Sequence, residues 1–554
     1  MSTQIEQLEA AIKAALEQAI NAGSLSGQIP ATIKLERPKD RDHGDYATSI
    51  ALQLAKPAGK NPRDVAQIIC DLLAGTDGIS KVDIAGPGFI NITLNRANQA
   101  ELVTTILKAT KDYGKGSALA GVRINLEFIS ANPTGPLHLG HTRWAAVGDS
   151  LGRVLSAAGA DVKREFYIND RGNQMDLFGA SVEAAALGNP IPEDGYKGAY
   201  IADLAKEVVA SNASITSLPD GERHAAFREA AYALQLKDQQ RVLDTFGTHF
   251  DVWFSERSLH DQGAVEHGLE KLRKQSHVFE EEGAIWLRTT EFGDDKDRVL
   301  TKSDGSLTYF SSDTAYYINK RERGFDICIY MLGADHHGYV NRLKAIAACA
   351  GDDPEYNIHV LIGQLVKIME GGEEVKLSKR AGTIITLEEL VEKVGVDAAR
   401  YTLIRYPVDT PMVMDIDILK RNTNENPVYY VQYAHARIAA VLRNAAELNI
   451  SVDLGAFDSS QLVHDRENEL LGALAEFPRV VQSAAELRQP HRVARYLEEL
   501  AGTYHGFYAD CRVLPMGEEN PSPLHTARLL LCASTKQVIQ NGLDLLGVSA
   551  PERM

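Results

Sequence analysis

Two histidines stand three residues apart around a glycine in His138-Leu-Gly140-His141, after an apolar strand pattern and at the start of a helical one. A helix N-terminus presents free N–H groups and a partial positive charge to a phosphate. Two imidazoles beside it can donate hydrogen bonds to phosphate oxygens that gain charge during phosphoryl transfer. Gly140 leaves room for an adenine ring against the backbone. The motif indicates attack on the α-phosphate of ATP, although taken alone it also fits ordinary helix-start histidines.

A second candidate for phosphate chemistry is Lys376-Leu-Ser378-Lys379-Arg380, which follows an acidic, glycine-rich turn at 370–374 and precedes a helix pattern from about 386. Three cations on a flexible loop can close over a triphosphate and stabilise the leaving pyrophosphate. The loss of one such contact typically raises the barrier by about 3–4 kcal/mol. In isolation this segment reads more readily as a solvated basic loop. Its combination with the histidine motif favours a catalytic role.

Composition describes a large globular protein. The 554 residues are 44% apolar and 24% charged, which predicts three or four domains, each with its own core. The N-terminus lacks the pattern of a signal peptide, and no run approaches the ~18 apolar residues of a membrane span, so we expect a cytoplasmic protein without a membrane partner. Five scattered cysteines argue against both a disulfide framework and a structural zinc site. The net charge of −17 does not exclude nucleic acid, because a local basic stripe can still bind phosphates.

Apolar periodicity divides the chain into three predicted domains. Residues 1–118 predict an α+β domain, with helices over the first 22 residues and at 44–55 and 61–73, a strand at 31–35 and a β pair at 81–85 and 89–94. Residues 119–426 predict a Rossmann-like parallel sheet, with strands at 124–128, 163–168 and 327–332, a helix from 139 or 141 to 158, another from about 340, a β element at 360–370 and a largely helical insertion at about 185–290. Residues 427–554 predict an all-α bundle, with helices at 430–448, 467–487, 491–508 and 525–546. The predicted fold class is multidomain α/β.

The two motifs resemble the HIGH and KMSKS signatures of class I aminoacyl-tRNA synthetases, with Arg380 in place of the usual final serine. Within that class the chain resembles the arginyl-tRNA synthetases over nearly its whole length. Segments 41–47 and 86–91 resemble the additional N-terminal domain of that family. Segments 127–136, 167–174 and 309–313 resemble its arginine site. Segments 397–401, 425–433 and 541–554 resemble its helical anticodon domain.

The resemblance implies a role for particular residues. The residues expected to act in catalysis are His138, His141, Lys376 and Lys379. Those expected to bind ATP are Pro136, Leu137, His138, Gly140, His141, Asp335, His336, Lys376, Ser378 and Lys379. Those expected to bind arginine are Glu127, Ser130, Asn132, His141, Tyr309, Asp313 and Asp335. Those expected to contact tRNA are Lys39, Tyr46, Tyr429, Tyr433, Arg437 and Met554.

Physical chemistry agrees with an arginine substrate. A guanidinium is a planar fork of five donors that carboxylates can bind in pairs, and such a receptor would reject lysine. Discrimination by hydrogen bonds of this kind can reach ~10⁴–10⁵ without editing. Glu127 and Asp313 could instead form structural ion pairs, and Asp170 and Asn169 could simply build a turn. Asp335 and the two histidines after it follow a strand, where contact with ATP or arginine is favoured over metal binding or helix capping.

The implied reaction has two steps, formation of arginyl-adenylate from ATP and transfer of arginine to the terminal ribose of tRNA(Arg). The resemblance also implies a need for tRNA in the first step. Magnesium is expected to be carried with the ATP, the cysteine pattern predicts no structural zinc, and nothing in the sequence demands more than a monomer. A cysteinyl-type synthetase is the nearest alternative, but it would require thiolate zinc ligands. A non-catalytic tRNA-binding relative would not need both motifs. A nucleotidyl transferase of small molecules would have no use for the helical C-terminal part.

Overall fold

The computed structural model describes residues 4–38, 43–375 and 385–554. Within these ranges, no helix is long and apolar enough to cross a membrane. The helices and strands fall into an N-terminal α+β part, a central part built on a parallel sheet, and a helical C-terminal part. This arrangement confirms the predicted fold class.

The N-terminal part packs three helices on a four-stranded antiparallel sheet of order β1-β2-β4-β3. In chain order its elements are α1 (Gln4–Asn21), β1 (Leu35–Glu36), β2 (Tyr46–Thr48), α2 (Ile50–Ala58), α3 (Pro62–Leu73), β3 (Ile79–Ala85) and β4 (Phe89–Leu94). The expected helix at 44–55 is wrong in its first part. Tyr46 and Thr48 are buried on one face of β2 and pair with Ile92 and Ile90 of β4, so that part is a strand. The expected strand at 31–35 is reduced to the two residues of β1.

The central part alternates strands and helices. After α4 (Arg96–Ala109), its first elements are β5 (Arg123–Glu127), α5 (Leu139–Ala157), β6 (Asp161–Ile168), α6 (Asn173–Leu187), α7 (Ala199–Ser211), α8 (Asp220–Thr245), β7 (Val252–Ser255), α9 (Glu256–Asp261) and α10 (Ala264–Lys274). Then follow β8 (Val278–Glu281), β9 (Ala284–Leu287), β10 (Arg298–Thr301), α11 (Tyr309–Glu322), β11 (Ile327–Gly333), α12 (Val340–Cys349) and β12 (Ile358–Gly363). The part ends with β13 (Val366–Glu370), β14 (Glu373–Glu374), α13 (Leu387–Val394), α14 (Val396–Ile404), β15 (Met412–Asp415) and α15 (Ile416–Leu419).

The main sheet is entirely parallel and has the order β12-β11-β5-β6-β7. The chain runs outward from β5 to β6 and β7, and later returns to β11 on the other side of β5. The carboxyl ends of β5 and β11 therefore form the switch point where α/β sheets bind ligands. Helix α5 lies close to this edge, because Gly148 leaves no side chain between it and the ring of Phe128; a Cβ there would lie 2.3 Å from a ring carbon.

The stretch 185–290 contains helices α7 to α10 but is not purely helical. It also adds β7 to the main sheet, and its last residues form β8 and β9 of the small antiparallel sheet β10-β9-β8. The expected β element at 360–370 is two strands in different sheets, β12 and β13. The periodicity of apolar residues does not distinguish these arrangements, because short strands that are partly buried leave little pattern.

The C-terminal part consists of five helices, α16 (Pro427–Glu447), α17 (Asp465–Ala475), α18 (Phe477–Glu486), α19 (His491–Asp510) and α20 (Pro523–Leu546). The single helix expected at 467–487 is divided at Glu476, because Pro478 lies in the first turn of α18, the position where a missing N–H is tolerated.

Arg400, which is fully buried in α14, joins the central and C-terminal parts. Its guanidinium contacts Asp149 of α5 at 2.6 Å and donates to the carbonyl of Leu546, the last residue of α20, at 3.0 Å. Ser150 of α5 donates to the carbonyl of Leu545 at 2.9 Å. The end of the last helix is thus bonded to the helix that begins at the histidine motif.

Candidate active site

His138 and His141 form the start of α5. His138 is the N-cap, and its Nδ1 accepts from the backbone N–H of Gly140 at 3.2 Å. The Nδ1 of His141 accepts from the N–H of His138 at 3.3 Å, and the ring centroids lie 4.0 Å apart. Because both Nδ1 atoms act as acceptors, each neutral ring carries its proton on Nε2 and is a donor there. The two donors and the helix N-terminus are the features that a phosphate site requires.

The chain that follows the lysine motif is fixed against this histidine motif. Leu139 donates to the carbonyl of Ile385 at 3.1 Å, and Leu387 donates to the carbonyl of Leu137 at 2.9 Å. His138 and Thr386 are antiparallel bridge partners between these bonds. Lys376, Ser378 and Lys379 lie outside the described residues. Residue 385, just beyond them, is hydrogen-bonded to the start of α5.

Among the other residues expected to bind ATP, Leu137 is 3% exposed, so its side chain belongs to the core and only its backbone can face a ligand. Pro136 is half-buried and Gly140 is exposed. Asp335 and His336 are exposed in a short 3₁₀ turn directly after β11, with His336 Nε2 3.5 Å from Asp335 Oδ2. They therefore lie at the carboxyl end of the strand beside β5.

Glu127 ends β5 and is 8% exposed. Its Oε1 accepts from the hydroxyl of Ser130 at 3.0 Å, and its Oε2 lies 2.5 Å from Nζ of Lys320. The same Ser130 hydroxyl accepts from the N–H of Tyr167 at 3.2 Å. Ser130 and Ile129 both have positive φ, +46° and +69°. Such backbone costs about 1–2 kcal/mol per residue and is typical of functional turns. The contact between Glu127 and Lys320 is the structural ion pair that was considered for Glu127.

Two carboxylates near Glu127, Asp313 and Glu256, take part in no ion pair among the described residues. The pKa of Asp313 on α11 is raised to about 6, mainly by burial and also by the charges of Glu256 and Glu127, while the hydrogen bond donated by Tyr339 and the charge of Arg342 lower it. Burial also raises the pKa of Glu256, the first residue of α9, which is 4% exposed. Asn169, with its amide turned to donate, lies 3.0 Å from Glu256. A cation placed between these carboxylates would lower both pKa values and bind strongly.

Two other residues expected to bind arginine, Tyr309 and Asn132, have exposed side chains, and we use the word pocket for the region between them and the carboxylates Glu127, Asp313 and Glu256. Tyr309, the first residue of α11, is 73% exposed, and its hydroxyl lies 3.6 Å from the Cβ position of Gly172. Asn132 is exposed, and its amide donates to Oε1 of Gln174 at 2.6 Å. Both side chains are accessible to a small molecule that enters the pocket.

Asp170 builds the turn after β6. It is 2% exposed and accepts from the hydroxyl of Ser255 at 2.6 Å and from the N–H of Arg257 at 3.1 Å. These contacts support the structural role considered for Asp170, which is to build this turn.

The residues expected to contact tRNA differ in accessibility. On α16, Tyr429 and Tyr433 stack with centroids 5.9 Å apart, and Arg437 lies 4.2 Å from the ring centroid of Tyr508 on α19. Tyr433 and Met554 are 37% and 56% exposed.

Tyr46 does not fit the expectation of an RNA contact. It is 2% exposed, and burial raises its pKa. Its ring belongs to the N-terminal core, because its position on β2 points inward. Lys39 lies outside the described residues.

Two residues of the pocket were not predicted, Glu256 and Lys320. Glu256 follows β7, a strand that sequence reasoning assigned to a helical insertion. Lys320 follows Tyr309, Asp313 and Tyr316 at spacings of four, three and four residues, which places all four on one face of α11. The sequence feature that could have identified Lys320 is its position on the same helical face as Tyr309 and Asp313.

The described residues include no group of three or more His, Cys, Asp or Glu side chains that could hold a metal ion. All five cysteines are buried and unpaired.

Comparison with known proteins places this geometry in a family. Three family models match in order along the chain: the arginyl-tRNA synthetase N-terminal domain at 6–94, the class I (R) tRNA synthetase catalytic domain at 102–436, and the DALR anticodon binding domain at 431–554.

Full-length relatives agree with these matches. The arginine–tRNA ligase of Frankia alni is 55% identical over 98% of this chain and 99% of its own, and that of Paenarthrobacter aurescens is 54% identical over 99% and 100%. The solved arginyl-tRNA synthetase of Thermus thermophilus is 22% identical, with a TM-score of 0.76 over 99% of this chain and all of its own, which shows a shared fold. The chain belongs to the arginyl-tRNA synthetase family.

Proposed function

We propose that this chain attaches arginine to tRNA(Arg) for protein synthesis in two steps at the carboxyl edge of its parallel sheet. The observation that carries the proposal is the position of two carboxylates with raised pKa, the half-buried Asp313 and the buried Glu256, near the sheet edge where the paired histidines of α5 lie. A cation receptor and a phosphate receptor at one edge suit a cationic amino acid that reacts with ATP.

In the first step the carboxylate of arginine attacks the α-phosphate of ATP, and pyrophosphate leaves. The Nε2–H groups of His138 and His141 stabilise the charge that develops on the phosphoryl oxygens. Lys376, Ser378 and Lys379 close over the leaving pyrophosphate. Lewis-acid chemistry comes from magnesium, which enters with the ATP phosphates and belongs to the substrate.

The adenosine of ATP lies between the two motifs. The exposed backbone at Gly140 offers a flat surface for the base, flanked by Pro136 and the backbone of Leu137. Asp335 and His336, which follow the neighbouring strand, contact the ribose or the arginine. The position of these residues beside the switch point of the sheet supports the assignments.

Arginine selection depends on the carboxylates. Asp313 and Glu256 bind the guanidinium, with Tyr309 at the mouth of the pocket. Ser130, Asn132 and Glu127 lie toward the strand end and hold the α-ammonium and backbone of the amino acid. Lysine places a compact ammonium where two planar pairs are required, so it leaves buried carboxylate oxygens unsatisfied.

The second step transfers arginine to the terminal ribose of the tRNA. The stacked rings of Tyr429 and Tyr433 with Arg437 present an aromatic and cationic surface to unstacked anticodon bases, and Met554 lies on the exposed C-terminal segment. Residues 1–118 contact the outer corner of the tRNA, 119–426 carry the chemistry and 427–554 read the anticodon. The protein works as a monomer in the cytoplasm, and tRNA is required for the first step.

ATP–pyrophosphate exchange tests the proposal. The chain is assayed with each of the twenty amino acids, with and without total tRNA. Exchange with arginine alone, and only when tRNA is present, is the expected result. Arginine exchange without tRNA would retain the ligase and remove the tRNA requirement. Exchange with another amino acid, or none at all, would reject the proposed substrate.

A further inference from the structure

The floor of the arginine pocket contains a cation that the reaction above does not use. Lys320 is 0% exposed and lies on the face of α11 that also carries Tyr309, Asp313 and Tyr316. Exposure falls along this face, from 73% at Tyr309 to none at Lys320. The face therefore runs from the mouth of the pocket to its floor.

The ammonium of Lys320 is enclosed by three groups. Nζ lies 2.5 Å from Oε2 of Glu127, 4.2 Å from the ring centroid of Tyr316 and 3.9 Å from that of Tyr330. Both rings are buried, so the ammonium exchanges its water shell for one carboxylate and two aromatic faces. A buried ion pair often adds little to the stability of a fold. Stability alone therefore does not explain why the Lys320–Glu127 pair lies beside the substrate pocket.

The pairing determines where negative charge remains in the pocket. Of four carboxylates around the floor, Glu127 is paired with Lys320, and Glu165 is paired with Arg323 at 2.6 Å. The described hydrogen bonds of the other two, Asp313 and Glu256, are with hydroxyl and amide groups. The uncompensated charge is thus concentrated at the two carboxylates assigned to the guanidinium.

We propose that Lys320 is a positioning residue for arginine selection, which acts by fixing and charge-balancing Glu127. This inference rests on the proposed function. With Lys320 present, Glu127 has one oxygen on the Ser130 hydroxyl and the other on the Lys320 ammonium, so its carboxylate is held in one orientation toward the α-ammonium. Without Lys320, Glu127 loses the bond that fixes its second oxygen and becomes a third buried carboxylate with no paired cation.

The groups that face Glu127 come from every neighbouring element. The charged and titratable side chains around it are Asp313, Tyr316 and Lys320 on α11, Glu165 and Tyr167 on β6, Tyr330 on β11, and Glu256 on α9. Of these, Lys320 is the cation in direct contact with the Glu127 carboxylate.

The test replaces Lys320 by methionine, which keeps most of its length and removes its charge. In Lys320→Met we expect the KM for arginine at neutral pH to rise by about tenfold or more, with the KM for ATP nearly unchanged. Lys320→Arg, which keeps a cation, is expected to retain a KM for arginine close to the parental value.

Arg323→Met is the matched control, because it removes the cationic partner of a neighbouring buried carboxylate, Glu165. It should lower the melting temperature and leave the KM for arginine unchanged. A stability loss in Lys320→Met with parental arginine kinetics, or the same rise of the arginine KM in Arg323→Met, would overturn the inference.

A double-mutant cycle keeps the test decisive if Lys320→Met folds poorly. Glu127→Gln/Lys320→Met leaves no charge of the pair buried, and its arginine KM should equal that of Glu127→Gln alone. A higher KM in the double variant would mean that Lys320 acts independently of Glu127 and would reject the proposal. If the parental chain shows no arginine-dependent exchange, the proposed function has failed instead.

Discussion

His138 and Thr386 are antiparallel bridge partners, and each is the N-cap of its own helix, α5 for His138 and α13 for Thr386. The lysine motif lies just before Thr386 in sequence. Two helix N-termini therefore begin side by side where the triphosphate is proposed to bind, which adds two partial positive charges to those of the lysines.

Replacement of His138 by asparagine separates its catalytic role from its capping role. Asparagine is a good N-cap, so α5 should remain intact, while the Nε2–H donor is lost. We expect kcat for arginine-dependent exchange to fall by about 10²–10³ with little change in melting temperature. His464→Asn is the control, since His464 caps α17 through the same Nδ1 bond, at 3.1 Å, far along the chain. Similar losses in both variants would show that only helix capping matters.

The raised pKa of Asp313 predicts that arginine binding depends on pH. The carboxylate has a pKa of about 6 in the folded protein, against 3.8 ordinarily, so its ionisation costs stability above pH 6 and this cost disappears as the pH falls. Arginine offsets the cost only where the carboxylate is ionised. The rise in melting temperature on addition of arginine should therefore be larger at pH 7.5 than at pH 5, as measured by differential scanning fluorimetry. Lysine, as the control ligand, should give little shift at either pH.

Asp313→Asn removes the charge and keeps the shape of the side chain. We expect the KM for arginine to rise by about 10–150-fold, the range for a hydrogen bond to a charged group. The pH dependence of the arginine-induced shift should also become smaller. An unchanged KM would reject the assignment of Asp313 to the guanidinium.

Tyr433→Ala tests the surface proposed for the anticodon. Loss of one stacked base typically costs about 1–3 kcal/mol, so the KM for tRNA in aminoacylation should rise by about 5–150-fold. Tyr356→Ala removes another accessible tyrosine, 52% exposed in the catalytic part, and should leave this KM unchanged. An equal effect of both substitutions would indicate a general loss of fold or solubility.

Arg400→Met should destabilise the protein. It leaves Asp149, which is 1% exposed, without its closest cation, although Arg153 remains 2.7 Å away. Breaking a buried pair of this kind costs about 3–5 kcal/mol in the free energy of unfolding. Arg443→Met removes a more exposed pair at 3.8 Å and should cost less than about 1 kcal/mol. Urea unfolding of the two variants beside the parent measures the difference.

The sequence predicted the elements that carry strong local signals. Strand β5, helix α5 from residue 139 and the parallel sheet were predicted because an apolar strand, a Pro/Gly loop and a helical repeat follow one another there. Glu127 and Asp313, which the resemblance assigned to arginine binding, lie close enough for the charge of Glu127 to raise the pKa of Asp313. These features depend on short-range pattern and on the rule that parallel strands end at one edge.

The remaining features depend on tertiary contacts that one sequence does not reveal. Tyr46 was expected to contact RNA, but its strand pairs with β4 and its ring points into the core. Glu256 was missed because β7 is only four residues long and joins the sheet through β6. Lys320 was missed because a lysine near a helix end normally reaches solvent, whereas here Glu127 and two rings enclose it.

The bonds from α5 and Arg400 to the last carbonyls of α20 limit how the protein can be cut into fragments. A catalytic fragment that ends before α20 would lose the Leu546 carbonyl, which accepts two hydrogen bonds from the Arg400 guanidinium, together with the Leu545 carbonyl that accepts from Ser150. Such a fragment would have to bury a partly unsatisfied charge or open around it. The catalytic and helical parts should therefore be expressed and engineered as one unit, and a helical part taken from a relative must preserve the contacts with α14 and α5.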